Sequence, residues 1–285
     1  MNGKNIKKHL NKKLDDWLLS IEDEEVKNAI KQNVIITGGS IVSLLTGEEV
    51  NDYDVYFKTK ESLKTVANYY VDKWNKKSEG ETAEVTEDDK ERVRIFISSS
   101  GVAGEDCDLD TGEECAEIKQ PKKDNKEKYS PKFLTSNAIT LSDKIQVVVR
   151  FYGDVTEIHK NYDYVHCTCA WCAWNDELIL PSRALESIIN KELYYMGSKY
   201  PLCSIFRARK YINRGYTINA GQYLKMAMQL NDLNLKNIEV LKDQLMGVDS
   251  AYMSMIIEAV AKQKEKNEDF EIDSNYVIDL VNRIF

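Results

Sequence analysis

The stretch from Asn33 to Phe57 constrains the fold of this chain more than any other. Residues 33–37 (NVIIT) are rich in β-branched side chains, Gly38-Gly39 follow them, and residues 40–45 (SIVSLL) precede Gly47. This pattern predicts a buried strand, a glycine turn and a helix of one or two turns. Residues 52–57 (DYDVYF) then alternate acids with apolar side chains, which predicts a second strand.

The second predicted strand carries two acids on one face. Residues i and i+2 of a strand point to the same side, so Asp52 and Asp54 project together. Two carboxylates that close repel each other unless a positive charge lies between them, and Mg²⁺ accepts a few carboxylate oxygens together with phosphate oxygens. The alternative is a solvated edge strand with two surface acids, which the apolar side chains of Val55 and Phe57 argue against.

The glycine turn before the short helix suits an anion. Glycines let backbone amides approach a ligand, and the start of a helix points its amides and its dipole at negative charge. Ser40 adds a hydroxyl that we expect to cap the helix. Glycine turns are common, so this turn indicates a phosphate site only in combination with the Asp-x-Asp strand that follows.

This arrangement resembles the nucleotidyltransferase superfamily, which includes DNA polymerase beta, the CCA-adding and poly(A) polymerases and small antibiotic nucleotidyltransferases. The superfamily has a glycine-glycine or glycine-serine turn, then roughly ten residues, then Asp-x-Asp or Asp-x-Glu between hydrophobic residues. Gly39-Ser40 match the turn, and Asp52 and Asp54 match the acids. The resemblance covers residues 33–57 well and residues 135–170 loosely.

The resemblance implies a third carboxylate from a neighbouring strand and two Mg²⁺ ions, one for the attacking hydroxyl and one for the triphosphate. We expect Asp163 at the third position, within a strand over residues 162–170; the alternative is that it orients a loop. Asp154 and Glu157 are more typical of a helix start. The expected metal ligands and catalytic residues are Asp52, Asp54 and Asp163, and the expected phosphate-binding residues are Gly38, Gly39 and Ser40.

A basic segment in the C-terminal half is a second candidate. Arg207, Lys210 and Arg214 recur at spacings of three and four, which places them on one face of a predicted helix over residues 201–214. Such a face can bind a triphosphate or an RNA backbone, and we interpret it as nucleotide-binding, with tRNA or other RNA as a partner. A solvated basic face is the alternative.

The cysteines and the charge limit the function classes. In the run HCTCAWC (residues 166–172) we interpret the three cysteines as buried thiols of a core strand rather than zinc ligands, because no fourth ligand lies at a suitable spacing. The net charge of −8 argues against a protein coated with basic surface. No secretory signal and no apolar run of roughly 18 residues is seen, so we expect a cytoplasmic protein without a membrane partner.

The layout predicts an α+β protein. We expect a mixed sheet with flanking helices and a charged insertion at about 76–132 in residues 1–180, and a helical domain in residues 181–285. The resemblance implies that the first of these is a nucleotidyltransferase-like domain. A helix over residues 4–32 and strands near residues 93–97, 137–141 and 145–151 are expected.

The predicted function is Mg²⁺-dependent transfer of a nucleoside monophosphate from an NTP to a hydroxyl on RNA, tRNA or protein, with release of pyrophosphate. Ile41-Val42 stand where CCA-adding enzymes continue with arginine and aspartate, which argues against synthesis of tRNA 3′ ends. A toxin-like enzyme that nucleotidylates tRNA or protein, and a non-catalytic nucleotide-binding or regulatory protein, remain as alternatives.

Overall fold

The structure, a computed structural model, describes residues 1–78, 81–88, 92–99, 115–117 and 127–245, and the single positions 262, 275, 276, 279 and 282. The chain divides into two compact units, and the boundary lies between Asn190 and Lys191. Much of the charged insertion at about 76–132 and most of the predicted helical domain after residue 245 lie outside the described residues. Among the described helices, none has the length and apolar character that a membrane span requires.

The first unit combines helices with a large sheet. Its helices are α1 (Gly3–Leu19), α2 (Glu24–Asn33), α3 (Gly39–Thr46), α4 (Lys60–Asn75), α5 (Val155–His159) and α6 (Ser182–Asn190). Its strands are β1 (Val34–Thr37), β2 (Tyr53–Phe57), β3 (Glu81–Glu87), β4 (Val93–Ser99), β5 (Cys115–Glu117), β6 (Pro131–Thr135), β7 (Ala138–Leu141), β8 (Ile145–Tyr152), β9 (Ala170–Cys172) and β10 (Glu177–Ile179).

The central sheet is mixed and mostly antiparallel. Its order is β10-β9-β1-β2-β8-β7-β6-β5, with β2 and β8 parallel and the other neighbouring pairs antiparallel, while β3 and β4 form a separate hairpin. The strands β1 and β2, which flank the glycine turn, therefore lie at the centre of the sheet. The mixed sheet expected from the sequence is confirmed.

The two faces of β2 have different surroundings. Tyr53 points to the face covered by α1, where its hydroxyl lies 2.6 Å from His9 Nε2. Tyr56 points to the opposite face and packs with Ile35 of β1 and Ile158 of α5. Since side chains alternate along a strand, Asp54 shares the face of Tyr56.

Two expected elements differ from the structure. The predicted helix over residues 4–32 is interrupted, because the Asp23 side chain accepts hydrogen bonds from Glu25 N and Val26 N and so caps a new helix, α2. The predicted strand over residues 162–170 is wrong. Residues 165–167 form a 3₁₀ turn, Tyr164 makes only an isolated bridge, and the strand β9 begins at Ala170, which lies opposite Thr37.

Within its described residues the second unit combines helices with an isolated bridge between Glu192 and Thr217, and the predicted helical domain over residues 181–285 stays a prediction. It contains α7 (Pro201–Ile212), α8 (Ala220–Asn231) and α9 (Ile238–Leu245). Cys203 on α7 donates to the Gln244 carbonyl on α9 at 2.7 Å, and the Gln222 side chain on α8 accepts from the Tyr195 backbone N–H at 3.0 Å. These bonds connect its helices and the segment before α7.

Candidate active site

The turn between β1 and α3 depends on Gly38. This residue is the N-cap of α3 with φ +86° and ψ −147°, a conformation that side chains with a Cβ rarely adopt. Gly39 begins the helix and Ser40 follows it inside the first turn. The expectation that Ser40 caps the helix is therefore wrong, because Gly38 occupies that position. Gly47 ends the helix in the left-handed conformation, close to where the sequence predicted its end.

The structure brings Asp54 to this turn. Asp54 lies opposite Thr37 in the antiparallel pair of β1 and β2, and its side chain is half-buried. A Cβ added to Gly38 would stand 3.4 Å from Asp54 Oδ2. The carboxylate therefore lies against the glycine turn, as the sequence motif predicted. Asp52 precedes β2 by one residue and is exposed to solvent.

The Ser40 hydroxyl is buried beside the turn. The side chain is 3% exposed, and within the described part of the chain its Oγ has no hydrogen-bond partner. A buried hydroxyl without a partner is costly, so its position near the start of α3 calls for an explanation. The first N–H groups of any α-helix also lack acceptors within the helix. Both features provide hydrogen-bond donors where α3 begins.

Tyr162 is a member of this cluster that the sequence did not indicate. The Cβ added to Gly38 would also stand 3.4 Å from the Tyr162 hydroxyl. That hydroxyl hydrogen-bonds with Tyr56 and Thr37, and burial, with smaller effects from Tyr56 and Asp54, raises its pKa well above the usual value. Tyr162 is thus a neutral donor next to the carboxylate of Asp54.

Thr37 and His159 complete the polar surroundings of the turn. The Thr37 hydroxyl donates to the Cys169 carbonyl at 2.8 Å, and His159 Nε2 lies 2.8 Å from the same oxygen. Because the hydroxyl has a single proton, His159 Nε2 donates to Thr37 Oγ1, which fixes the tautomer of the ring. Burial lowers the pKa of His159 to about 4, so the imidazole is neutral at physiological pH.

Asp163 does not lie on a strand, in contrast to the prediction. It is buried at 5% exposure and stands before the 3₁₀ turn, next to Tyr162 in sequence. Among the described residues, no group of three or more His, Cys, Asp or Glu side chains is arranged to hold a metal ion. Asp163 as a third ligand therefore stays a prediction.

The basic segment belongs to the second unit. Arg207 is partly buried on α7 and Lys210 is exposed on the same helix. Arg214 lies beyond the helix, which ends at Ile212, so the predicted helix is shorter than expected and does not include all three basic residues. Binding of nucleotide or RNA by Arg207, Lys210 and Arg214 stays a prediction.

The cysteines in and after the 3₁₀ turn are buried thiols, as interpreted from the sequence, although only Cys172 lies on a strand. Cys167, Cys169 and Cys172 are buried and form no disulfide within the described residues. Burial raises the pKa of Cys169 to about 12 and that of Cys172 to about 11, so both stay protonated. A raised pKa leaves little of the nucleophilic thiolate at neutral pH, which favours a packing role for Cys169 and Cys172.

Comparison with known proteins identifies relatives. Residues 8–191 match the model of a family described as Gabija anti-defense 2 family protein. A curated relative named Gabija anti-defense 2, from Bacillus phage SPbetaL7, is 23% identical over 252 residues. That match covers 87% of this chain and 49% of the relative, so the chain spans about half the length of the curated relative.

Solved structures of CCA-adding enzymes are loosely similar. One is the Thermotoga maritima enzyme complexed with tRNA, with a TM-score of 0.40 and 11% identity over 92% of this chain and 57% of that one. Another is the Bacillus stearothermophilus enzyme in complex with CTP, with a TM-score of 0.38 and 12% identity over 82% of this chain and 50% of that one. TM-scores this low do not assign an activity.

Proposed function

We propose that this chain, which belongs to the Gabija anti-defense 2 family, is a nucleotidyltransferase that moves a nucleoside monophosphate from an NTP to a hydroxyl acceptor. The observation that carries the proposal is the proximity of the Asp54 carboxylate to Gly38 at the start of α3, where a Cβ added to Gly38 would stand 3.4 Å from Asp54 Oδ2. A carboxylate for a cation and a helix start for an anion then lie side by side, which is what a metal-bound triphosphate requires.

The start of α3 is proposed to bind the phosphates. The N–H groups of Gly39 and Ser40 belong to the first turn of the helix, where backbone donors lack acceptors and the helix dipole favours negative charge. The Ser40 hydroxyl, buried without a partner among the described residues, gives a further donor. Gly38 carries no side chain, so a phosphate can approach the backbone closely.

The side chains present also fit a divalent cation. Mg²⁺ is commonly held by one or two carboxylates together with substrate phosphates and water, and Asp52 and Asp54 are proposed to be those carboxylates. Bound there, Mg²⁺ would neutralise charge on the triphosphate and on the departing pyrophosphate. The Tyr162 hydroxyl lies near the Asp54 carboxylate, beside Gly38.

The name of the curated relative gives a biological setting. We propose that this chain, like that phage protein, counters a bacterial defence called Gabija, and that its transferase activity is the means. The acceptor is then a molecule of the host cell, and RNA, tRNA and protein are the acceptors to test. Expression of the chain and of its Asp54→Asn variant in Gabija-carrying cells, followed by phage plating, tests the link between site and setting.

The biochemical experiment uses the full chain, the four α-labelled NTPs, Mg²⁺ and total tRNA. We expect label to appear on RNA or on protein with wild type, and to fall by about a hundredfold or more in Asp54→Asn, which removes one charge without a change of size. Asp15→Asn, an exposed substitution on α1, is the matched control and should transfer normally.

The outcomes separate the alternatives. Nucleotide binding without transfer to any acceptor would favour the non-catalytic, nucleotide-binding alternative. Absence of both binding and transfer in wild type would overturn the proposal, as would equal transfer by wild type and Asp54→Asn. The thermal unfolding of Asp54→Asn should match that of wild type, which shows that any loss comes from the site.

A further inference from the structure

The register of the sheet identifies the side chains that flank Asp54. On β1 its partner is Thr37, and on the parallel strand β8 its partner is Gln146. Directly paired residues on neighbouring strands point to the same face and lie within contact range of each other. Thr37 and Gln146 are therefore the strand residues that stand beside the proposed metal-binding carboxylate.

These two neighbours differ in their access to a ligand. Thr37 is fully buried and bonded to the Cys169 carbonyl and to His159. Gln146 is half-buried rather than fully buried, and so is Thr140, its partner on β7. A row of partly open polar side chains thus extends from Asp54 across β8 to β7, and Gln146 is its first member.

We infer that Gln146 is the third polar side chain of the site, and that the site accordingly holds one divalent cation rather than two. The inference rests on the proposed function. A third carboxylate on the strand beside Asp54 was expected for a second ion, and the structure has a neutral carboxamide at that place. The sequence had pointed to Asp163 for this role, on a segment that the structure shows is not a strand.

The charge of the ligands decides how many cations the site can hold. Affinity for hard cations depends on the number and charge of the oxygen ligands. Asp52 and Asp54 provide two carboxylates, one fewer than the three that the resemblance implies for two ions. Gln146 adds no charge, but its amide can both donate and accept a hydrogen bond. It is therefore suited to contact the bound nucleotide rather than to hold a second ion.

Counting bound ions tests the inference directly. The full chain is titrated with Mn²⁺ in the presence of a non-hydrolysable α,β-methylene NTP, and free Mn²⁺ is measured by electron paramagnetic resonance. We expect a single Mn²⁺ in the complex of wild type with the analogue, counting the ion that the analogue itself brings. In Gln146→Glu, the added charge beside Asp54 should tighten Mn²⁺ binding by about tenfold or more, or add a second ion.

Two further variants complete the experiment. Gln32→Glu adds the same charge at an exposed position of α2 and should leave Mn²⁺ binding unchanged. Gln146→Ala should leave the number of Mn²⁺ ions unchanged and weaken binding of the analogue by about threefold to tenfold, the effect of one lost hydrogen bond. Thermal unfolding of each variant shows whether the fold is retained.

The inference and the proposed function fail in different ways. Two Mn²⁺ ions on wild type together with the analogue would overturn the one-cation inference and leave the proposed function standing. Unchanged Mn²⁺ binding in Gln146→Glu would exclude Gln146 from the site. A wild type that binds neither Mn²⁺ nor the analogue would overturn the proposed function, and the inference with it.

Discussion

At the scale of single residues, the two glycines of the turn should respond differently to the same substitution. Gly38 has φ +86°, and a Cβ there would meet Asp54 and Tyr162, whereas a Cβ on Gly39 has nothing within 4 Å. Gly38→Ala should therefore lower the free energy of unfolding by about 1–3 kcal/mol. Gly39→Ala, at a helical position, should be neutral or stabilising by up to about 1 kcal/mol.

Urea unfolding of both variants measures this difference, and nucleotide binding provides a second readout. Gly38→Ala should also weaken NTP binding, because the added methyl group would stand against the Asp54 carboxylate of the proposed site. Equal stability of the two variants would contradict the strained conformation assigned to Gly38.

The sequence could predict which site residues are neighbours only where those residues lie close together along the chain. Gly38 and Asp54 come from adjacent strands joined by one short helix, so their spacing in sequence already indicates their proximity. Tyr162 and Gln146 reach the same place from distant parts of the chain. Their positions depend on which strand pairs with β2 and on where the segment before β9 turns, and no short motif encodes either.

At the scale of elements, the break between α1 and α2 should depend on its cap. The Asp23 carboxylate accepts from Glu25 N at 2.8 Å and from Val26 N at 3.3 Å. Asp23→Ala should cost about 1 kcal/mol of folding stability, because these N–H groups lose their acceptor. Urea unfolding checks the value, with Glu22→Ala at the neighbouring exposed position as control. An equal effect of both variants would mean that the cap contributes little.

The same comparison shows why some element boundaries were missed. Apolar spacing continues from α1 into α2, so periodicity alone joined the two helices, and the decisive Asp23 cap is a single side chain. Over residues 162–170, apolar and aromatic side chains suggested a strand. Most of that segment is instead buried around a 3₁₀ turn. A buried turn needs apolar side chains just as a core strand does, so composition does not distinguish the two.

At the scale of the whole molecule, the order of the strands in the sheet could not be predicted from the sequence. β2 pairs with β1, its neighbour in the chain, but also with β8, which lies beyond the hairpin β3–β4 and the insertion. Pairing over such distances depends on the complete core rather than on local patterns. The class of the fold follows from composition and periodicity, whereas the identity of the side chain beside Asp54 follows only from the assembled sheet.

The stability of the whole molecule should depend on the protonation of His159. Burial lowers its pKa from 6.5 to about 4, so the imidazole is neutral in the folded and unfolded chain above pH 6.5. As the pH falls from 6.5 towards 4, the unfolded chain binds a proton that the folded chain does not. Between about pH 7 and about pH 5 this should lower the free energy of unfolding by about 1–2 kcal/mol, with allowance for partial exposure.

His159→Gln removes this titration, whereas the carboxylates titrate in both proteins. The difference between wild type and variant in urea unfolding at several pH values therefore gives the contribution of His159 to the pH dependence of stability. The variant should be less stable than wild type near neutral pH if glutamine does not replace the bond to Thr37 Oγ1, and its stability should fall less steeply towards pH 5. Parallel curves would show that His159 is protonated equally in the folded and unfolded states. A shallower fall of stability with pH in the variant would show that protonation of His159 destabilises the fold in acid. His159 bonds to Thr37 beside the glycine turn, so this effect would arise next to Asp54.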